Sequence, residues 1–165
     1  MSRVESVVAE RAPESVLSLL EPEFSSPYTG PAYAGRHLRL DFHDVEIATW
    51  DENPPSVEDV RRILTFVGAW KRDAPILIHC RAGVSRSPAA AYVAACALNP
   101  RVDEAEIALA LRAVAPFVRP NAALVRLADA ELSRQGRMCL ALDLFEPRRI
   151  SGEGALFEFP STFAR

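Results

Sequence analysis

An α/β fold, with a central, mostly parallel sheet flanked by helices and a helical C-terminal part, is predicted by three features of this sequence. Helix and strand candidates alternate along the chain, the pattern that builds parallel sheets through crossover helices. A short apolar run, Pro75 to Ile78, enters a loop that leads straight into an alanine-rich helix candidate, Pro88 to Leu98. Hydrophobic residues make up 49% of the 165 positions, enough for one domain with its own core and no disulfide staples.

The elements follow in order. Val4 to Arg11 reads as a helix and Ser15 to Leu20 as a short strand. Pro22 to Gly35 is rich in Pro, Gly and Ser and reads as a loop. His37 to Phe42 reads as a strand, because Leu38, Leu40 and Phe42 alternate with polar residues. Ser56 to Trp70 reads as a helix: Ser56 and Asp59 suit a capping box, and Val60, Ile63, Leu64 and Val67 form a core-facing stripe. Asp103 to Val114 carries Ile107, Leu111 and Val114 at helical spacing. Asn121 to Gln135 carries Leu124, Ala128 and Leu132, with Asn121 as N-cap and Gly136 as the stop. Met138 to Phe145 adds a short helix or strand. Residues 1–145 make the domain. From 146 to 165 the text loses its period and reads as a tail, loose or packed back through Leu156, Phe157 and Phe159, with Arg148, Arg149 and Arg165 solvated.

Residues 79–87, His79-Cys80-Arg81-Ala82-Gly83-Val84-Ser85-Arg86-Ser87, set a cysteine and an arginine at the two ends of the central loop. A strand that turns sharply into a helix leaves backbone N–H groups pointing into one concavity. The helix dipole adds partial positive charge at the same end. An oxyanion bound there gains hydrogen bonds and favourable charge together. The backbone of Arg81, Ala82, Gly83, Val84, Ser85 and Arg86 forms the predicted cradle. Gly83 permits positive φ where the loop curls. The Arg86 guanidinium offers a planar donor pair to two phosphate oxygens. Cys80 lies at the base of the cradle, where the field that holds phosphate also favours a thiolate; such cysteines fall from about 8.5 into the 3.5–7.5 range. A thiolate facing a bound phosphorus is a nucleophile already in position. Ser87 is placed to hydrogen-bond the sulfur and help it leave. His79 supports the loop's geometry rather than transferring a proton. An ordinary core cysteine would not explain the arginine, glycine and serine around Cys80.

The pattern His-Cys-x-x-Gly-x-x-Arg-Ser, after a strand and before a helix, resembles the signature of cysteine-dependent protein tyrosine phosphatases. The short form HCRAGVSRSPA is similar to the dual-specificity-like branch. A second match, Ala115-Pro116-Phe117-Val118-Arg119-Pro120-Asn121 with Leu124 and Leu127, resembles the Pro-Asn helix start that follows the signature helix in that branch. The resemblance runs from about Val16 to Leu132, with its sharpest residues at 79–88, and makes 1–145 a phosphatase domain. It implies that an aspartate on a loop after the preceding strand protonates the leaving oxygen. Asp44, directly after the 37–42 strand, is the candidate general acid. Asp51 is the alternative, because Asp51-Glu52-Asn53-Pro54-Pro55 resembles an acid loop of lipid-directed relatives. Trp50 reads as a half-buried anchor of that loop, or as part of the substrate cleft. His43 pairs with Asp44 or faces solvent, with no catalytic role.

The reaction implied is a two-step hydrolysis of a phosphate monoester. Cys80 displaces the alcohol, the aspartic acid protonates it, and water then cleaves the cysteinyl-phosphate. No cofactor is expected. His37, His43 and His79 with Cys80, Cys96 and Cys139 show no ligand-like pairing for a metal. Cys96 reads as a small core residue, with a resolving thiol for Cys80 as the alternative. The net charge of −3 argues against nucleic acid held by bulk charge. No signal segment opens the chain and no apolar run reaches the length of a membrane span. The expectation is a cytoplasmic protein tyrosine phosphatase, with dual specificity open, acting on a phosphorylated protein or peptide. The alternatives are an inactive phosphopeptide-binding homologue and a phosphatase of a non-protein substrate. Phosphoinositide enzymes tend to carry lysines in the loop, where this chain has only Arg81 beside Arg86. Arsenate reductases and low-molecular-weight phosphatases share Cys-x5-Arg but carry it just after their first strand.

Overall fold

Among the described residues three strands, β1 (Ser15–Leu20), β2 (Arg36–Asp41) and β3 (Ile76–His79), form a parallel sheet in the order β2-β1-β3. The structure is a computed structural model, and it describes residues 3–24, 36–145 and 153–163. Ser15 pairs with Arg36 on one side and Ile76 on the other, so all three carboxyl ends emerge at one edge. Every residue of β1 is buried, Ser15 and Ser18 along with its four apolar residues, as fits a strand covered on both faces. The expected loop at 22–35 lies, from 25 onward, outside the described residues, as do Arg148, Arg149 and Arg165.

The helices are α1 (Arg3–Arg11), α2 (Val57–Gly68), α3 (Arg86–Leu98), α4 (Glu104–Val114), α5 (Ala122–Glu131) and α6 (Arg137–Leu140), with a 3-10 turn at Ala141–Leu144. Helix α3 is the hub: it packs on β1 and β3 and against α2, α4 and α5. Its small residues Ala89, Ala90, Ala94 and Ala95 let these neighbours approach closely, while Tyr92 and Cys96 fill the remaining space, both fully buried. The capping box at the start of α2 is complete, with Ser56 accepting from the Asp59 amide and Asp59 accepting in return. Helix α1 buries none of its residues. No helix among the described residues is long and apolar enough to cross a membrane.

Three expectations need correction. Helix α5 ends at Glu131, four residues before Gln135, because Ser133 and Gln135 take the left-handed conformation. The Asp129 carboxylate organises that turn, accepting from the amides of Gly136 and Met138. Gly136 therefore opens α6 instead of ending α5. Val114 faces outward, as does Leu156, which leaves Phe157, Phe159 and Phe163 as the tail residues packed on the core.

Candidate active site

The central loop begins at the carboxyl end of β3 and finishes in the first turn of α3. Gly83 has φ +71°, the left-handed conformation that the loop's curl requires. The 115–121 segment ties two carbonyls of the loop from outside: Val84 O accepts from the Arg119 amide at 2.8 Å, and Ser85 O accepts from the Asn121 amide at 3.3 Å. Across a trans peptide the N–H points opposite to the C=O. Pulling these carbonyls outward turns the amides of Ser85 and Arg86 into the loop. The segment 115–121 thus shapes the cradle, a use beyond starting a helix.

Cys80 Sγ sits at the base. It receives the Gly83 amide at 3.3 Å and lies 3.2 Å from Ser87 Oγ. Arg86, only 2% exposed, donates from Nη1 to the Phe42 carbonyl at 2.9 Å and from Nη2 to Glu21 Oε1 at 2.6 Å. Its Nε and the second oxygen of Glu21 are buried with no hydrogen-bond partner among the described residues. A buried guanidinium with an unused donor can accept an oxyanion as its partner. Burial pushes the Glu21 carboxyl up, but its own backbone amide and Arg86, with help from Arg81, outweigh that and hold it below the ordinary value. Arg81 is exposed and lies over the Phe24 ring at 5.7 Å.

Asp44 meets this loop from the other side. Its Oδ1 accepts from Ser85 Oγ at 2.7 Å and from Asn121 Nδ2 at 2.9 Å. The Asn121 side chain has one orientation open to it, because its own Oδ1 caps α5 by accepting from the Leu124 amide. Asp51 is not brought to the loop: it is exposed and accepts from Thr49 Oγ1 within its own segment. That segment is closed by two bonds between residues 43 and 53, His43 N to Asn53 O and Asn53 N to His43 Nδ1. His43 faces neither Asp44 nor solvent; it is buried, with Nε2 3.3 Å from Glu23. Trp50 anchors nothing, being 95% exposed.

His79 accepts or donates through Nε2 to Ser18 Oγ at 2.6 Å, and the same hydroxyl meets His37 Nε2 at 2.8 Å. A hydroxyl has one proton, so one imidazole accepts from Ser18 and the other donates to it. Burial pushes His79 down to about 4, against a hydrogen bond to the Cys80 backbone that favours its charged form. As the last residue of β3 it is a neutral structural imidazole just before Cys80. Cys96 is fully buried, and burial pushes its thiol up to about 12, which makes it a poor resolving partner.

Sequence reasoning missed Glu21 and Ser18. Glu21 had a signal available, since residues just past the carboxyl ends of parallel strands line the site in open α/β sheets.

A family profile described as Protein-tyrosine phosphatase matches residues 34–118, just over half of the chain. The chain belongs to the protein-tyrosine phosphatase family. Within that family its fold is that of the dual-specificity-like branch, as three solved structures illustrate. DUSP15 is 16% identical with a TM-score of 0.59, covering 88% of this chain and 86% of that one. The human tyrosine phosphatase-like serine/threonine/tyrosine-interacting protein is 19% identical, with a TM-score of 0.61 and coverages of 82% and 86%. PTPMT1, solved in complex with PI(5)P, is 13% identical, with a TM-score of 0.57 and coverages of 80% and 86%. At such identities the likeness is one of fold. No curated protein sequence matches the chain.

Proposed function

We propose that this phosphatase hydrolyses phosphotyrosine in proteins or peptides through a cysteinyl-phosphate intermediate. The observation that carries this reading is that Ser85, a residue of the loop that seats Cys80, also holds the Asp44 carboxylate. Nucleophile and acid are therefore fixed to one short stretch of backbone. In the first step the Cys80 sulfur forms a bond to phosphorus as the phosphorus–oxygen bond to the alcohol breaks. The second carboxyl oxygen of Asp44 delivers the proton to that alcohol. Amides of residues 81–86 and the Arg86 guanidinium take the equatorial oxygens, where charge stabilisation matters most. In the second step water attacks phosphorus, Asp44 takes its proton, and Ser87 Oγ donates to the departing sulfur.

The substrate class rests on charge. Residues 44–52 carry Asp44, Glu46, Asp51 and Glu52 and no basic residue. Four carboxylates on the segment that presents Asp44 oppose a polyphosphorylated headgroup and suit a peptide with basic or neutral flanks. A Cys80→Ser trap presented with phosphopeptides and phosphoinositide vesicles tests this. Retention of phosphotyrosine peptides is the expected result; selective retention of the vesicles overturns the protein reading. Phosphopeptide binding by the parent chain without release of phosphate would make it a binder rather than an enzyme.

A further inference from the structure

We propose that residues 153–163 are a strap that positions the phosphate-binding loop, with Gly154 holding the 82–83 peptide in the orientation the cradle needs. This rests on the reading of that loop as an oxyanion site. The Ala82 carbonyl accepts from the Gly154 amide at 2.7 Å, outside the loop. The N–H of the same peptide unit, on Gly83, donates to Cys80 Sγ on the inside. Because the unit is planar and trans, the outer bond dictates the inner one.

The neighbouring units have other fasteners. Those at 84–85 and 85–86 are tied by Arg119 and Asn121. The 82–83 unit needs one most, since it adjoins Gly83 at φ +71°, and a Cβ there would meet nothing within 4 Å. Glycine rotates its flanking peptides with little steric resistance. A flip would aim the Ala82 carbonyl at the sulfur and at any bound phosphate oxygen, replacing a donor with an acceptor.

Gly154 is fitted to its place. A Cβ on it would lie 2.6 Å from Phe117 Cε2 and 2.9 Å from the Gly83 carbonyl. Arg3 Nη1 fixes its carbonyl at 3.0 Å. Beyond it, Glu158 pairs with Arg11 at 2.7 Å. Phe157 packs edge-on to Phe117 with centroids 6.2 Å apart. Asn99 grips the far end, donating to the Ser161 carbonyl at 3.0 Å and accepting from the Phe163 amide at 3.2 Å. The strap thus spans from α1 and the loop to the end of α3.

The test is the affinity of the full chain for inorganic phosphate and for orthovanadate. Gly154→Ala should weaken both about tenfold and Arg3→Ala about threefold, the range of one hydrogen bond lost or loosened. Met138→Ala, which lowers stability from α6, should leave both affinities within about twofold, so that general destabilisation is separated from a lost fastener. Affinities unchanged in Gly154→Ala and Arg3→Ala, with the parent still binding, overturn the strap. A tenfold loss in Met138→Ala overturns it too. A parent chain that binds neither anion overturns the oxyanion reading itself.

Discussion

The phosphate-binding loop is held from outside at Ala82, Val84 and Ser85 and seats Arg86 in the core, whereas the 43–55 loop is closed by its own bonds and leaves Ile47 and Trp50 in solvent. The first loop must present donors before the transition state forms, because donors that reorganise at that moment lose their advantage. In the proposed reaction the second supplies one fixed group, Asp44, and leaves Ile47 and Trp50 exposed toward whatever carries the phosphate.

Substitutions that cross the boundary should break the comparison most clearly. Cys80→Ser is expected to lower turnover of an aryl phosphate by at least about three orders of magnitude, read as initial rates. Retained activity would remove the nucleophile from the scheme. On a poor leaving group, Asp44→Asn should lower kcat by about two orders of magnitude and Asp51→Asn by less than about threefold. The reverse order would move the acid to the far side of its loop. Glu21→Ala should cost about 3 kcal/mol by urea denaturation, because it leaves the Arg86 charge buried without its carboxylate. His79 gives the rigid side a pH signature. Its proton affinity in the folded chain, about 4, lies below the ordinary 6.5. The unfolded chain therefore binds more protons between these values, and stability is lost as pH falls through that window. Between pH 7 and 5 the loss is about 2 kcal/mol, and His79→Asn should abolish most of it. Trp50→Ala is the smallest effect: thermal stability within about 0.5 kcal/mol of the parent, with any change confined to the KM for peptides.

What was legible in the sequence was what depends on neighbours along the chain. The capping box of Ser56 and Asp59, the glycine at 83 and the strand–loop–helix order around Cys80 are encoded within a few residues. Asp44 was preferred over Asp51 by its place at a strand end, and the structure puts it against Ser85. Glu21 and Arg86 are 65 positions apart, and Ser18 and His79 are 61 apart; no local pattern announces such pairs. Trp50 misled because an aromatic residue suggests burial, while its loop, closed by residues 43 and 53, offers it nothing to pack against. The left-handed turns at Ser133 and Gln135 escaped because neither residue is the glycine that usually marks them. The tail was legible in part: Phe157 and Phe159 pack back as one of its two readings had them. Leu156 faces outward and Phe163 was not foreseen, because the tail's contacts are made one residue at a time with no period to read.

Arg86 is among the largest fully buried side chains of the protein as well as a phosphate ligand in the proposed reaction. Anyone wanting an inert version of this chain for a control experiment should therefore leave it alone. An Arg86 variant would strand Glu21 and the Phe42 carbonyl together, and a silent assay could then report a collapsed protein as easily as a disarmed one. Cys80, partly exposed and exchanged for an atom of similar shape in serine, is the cleaner way to switch the molecule off.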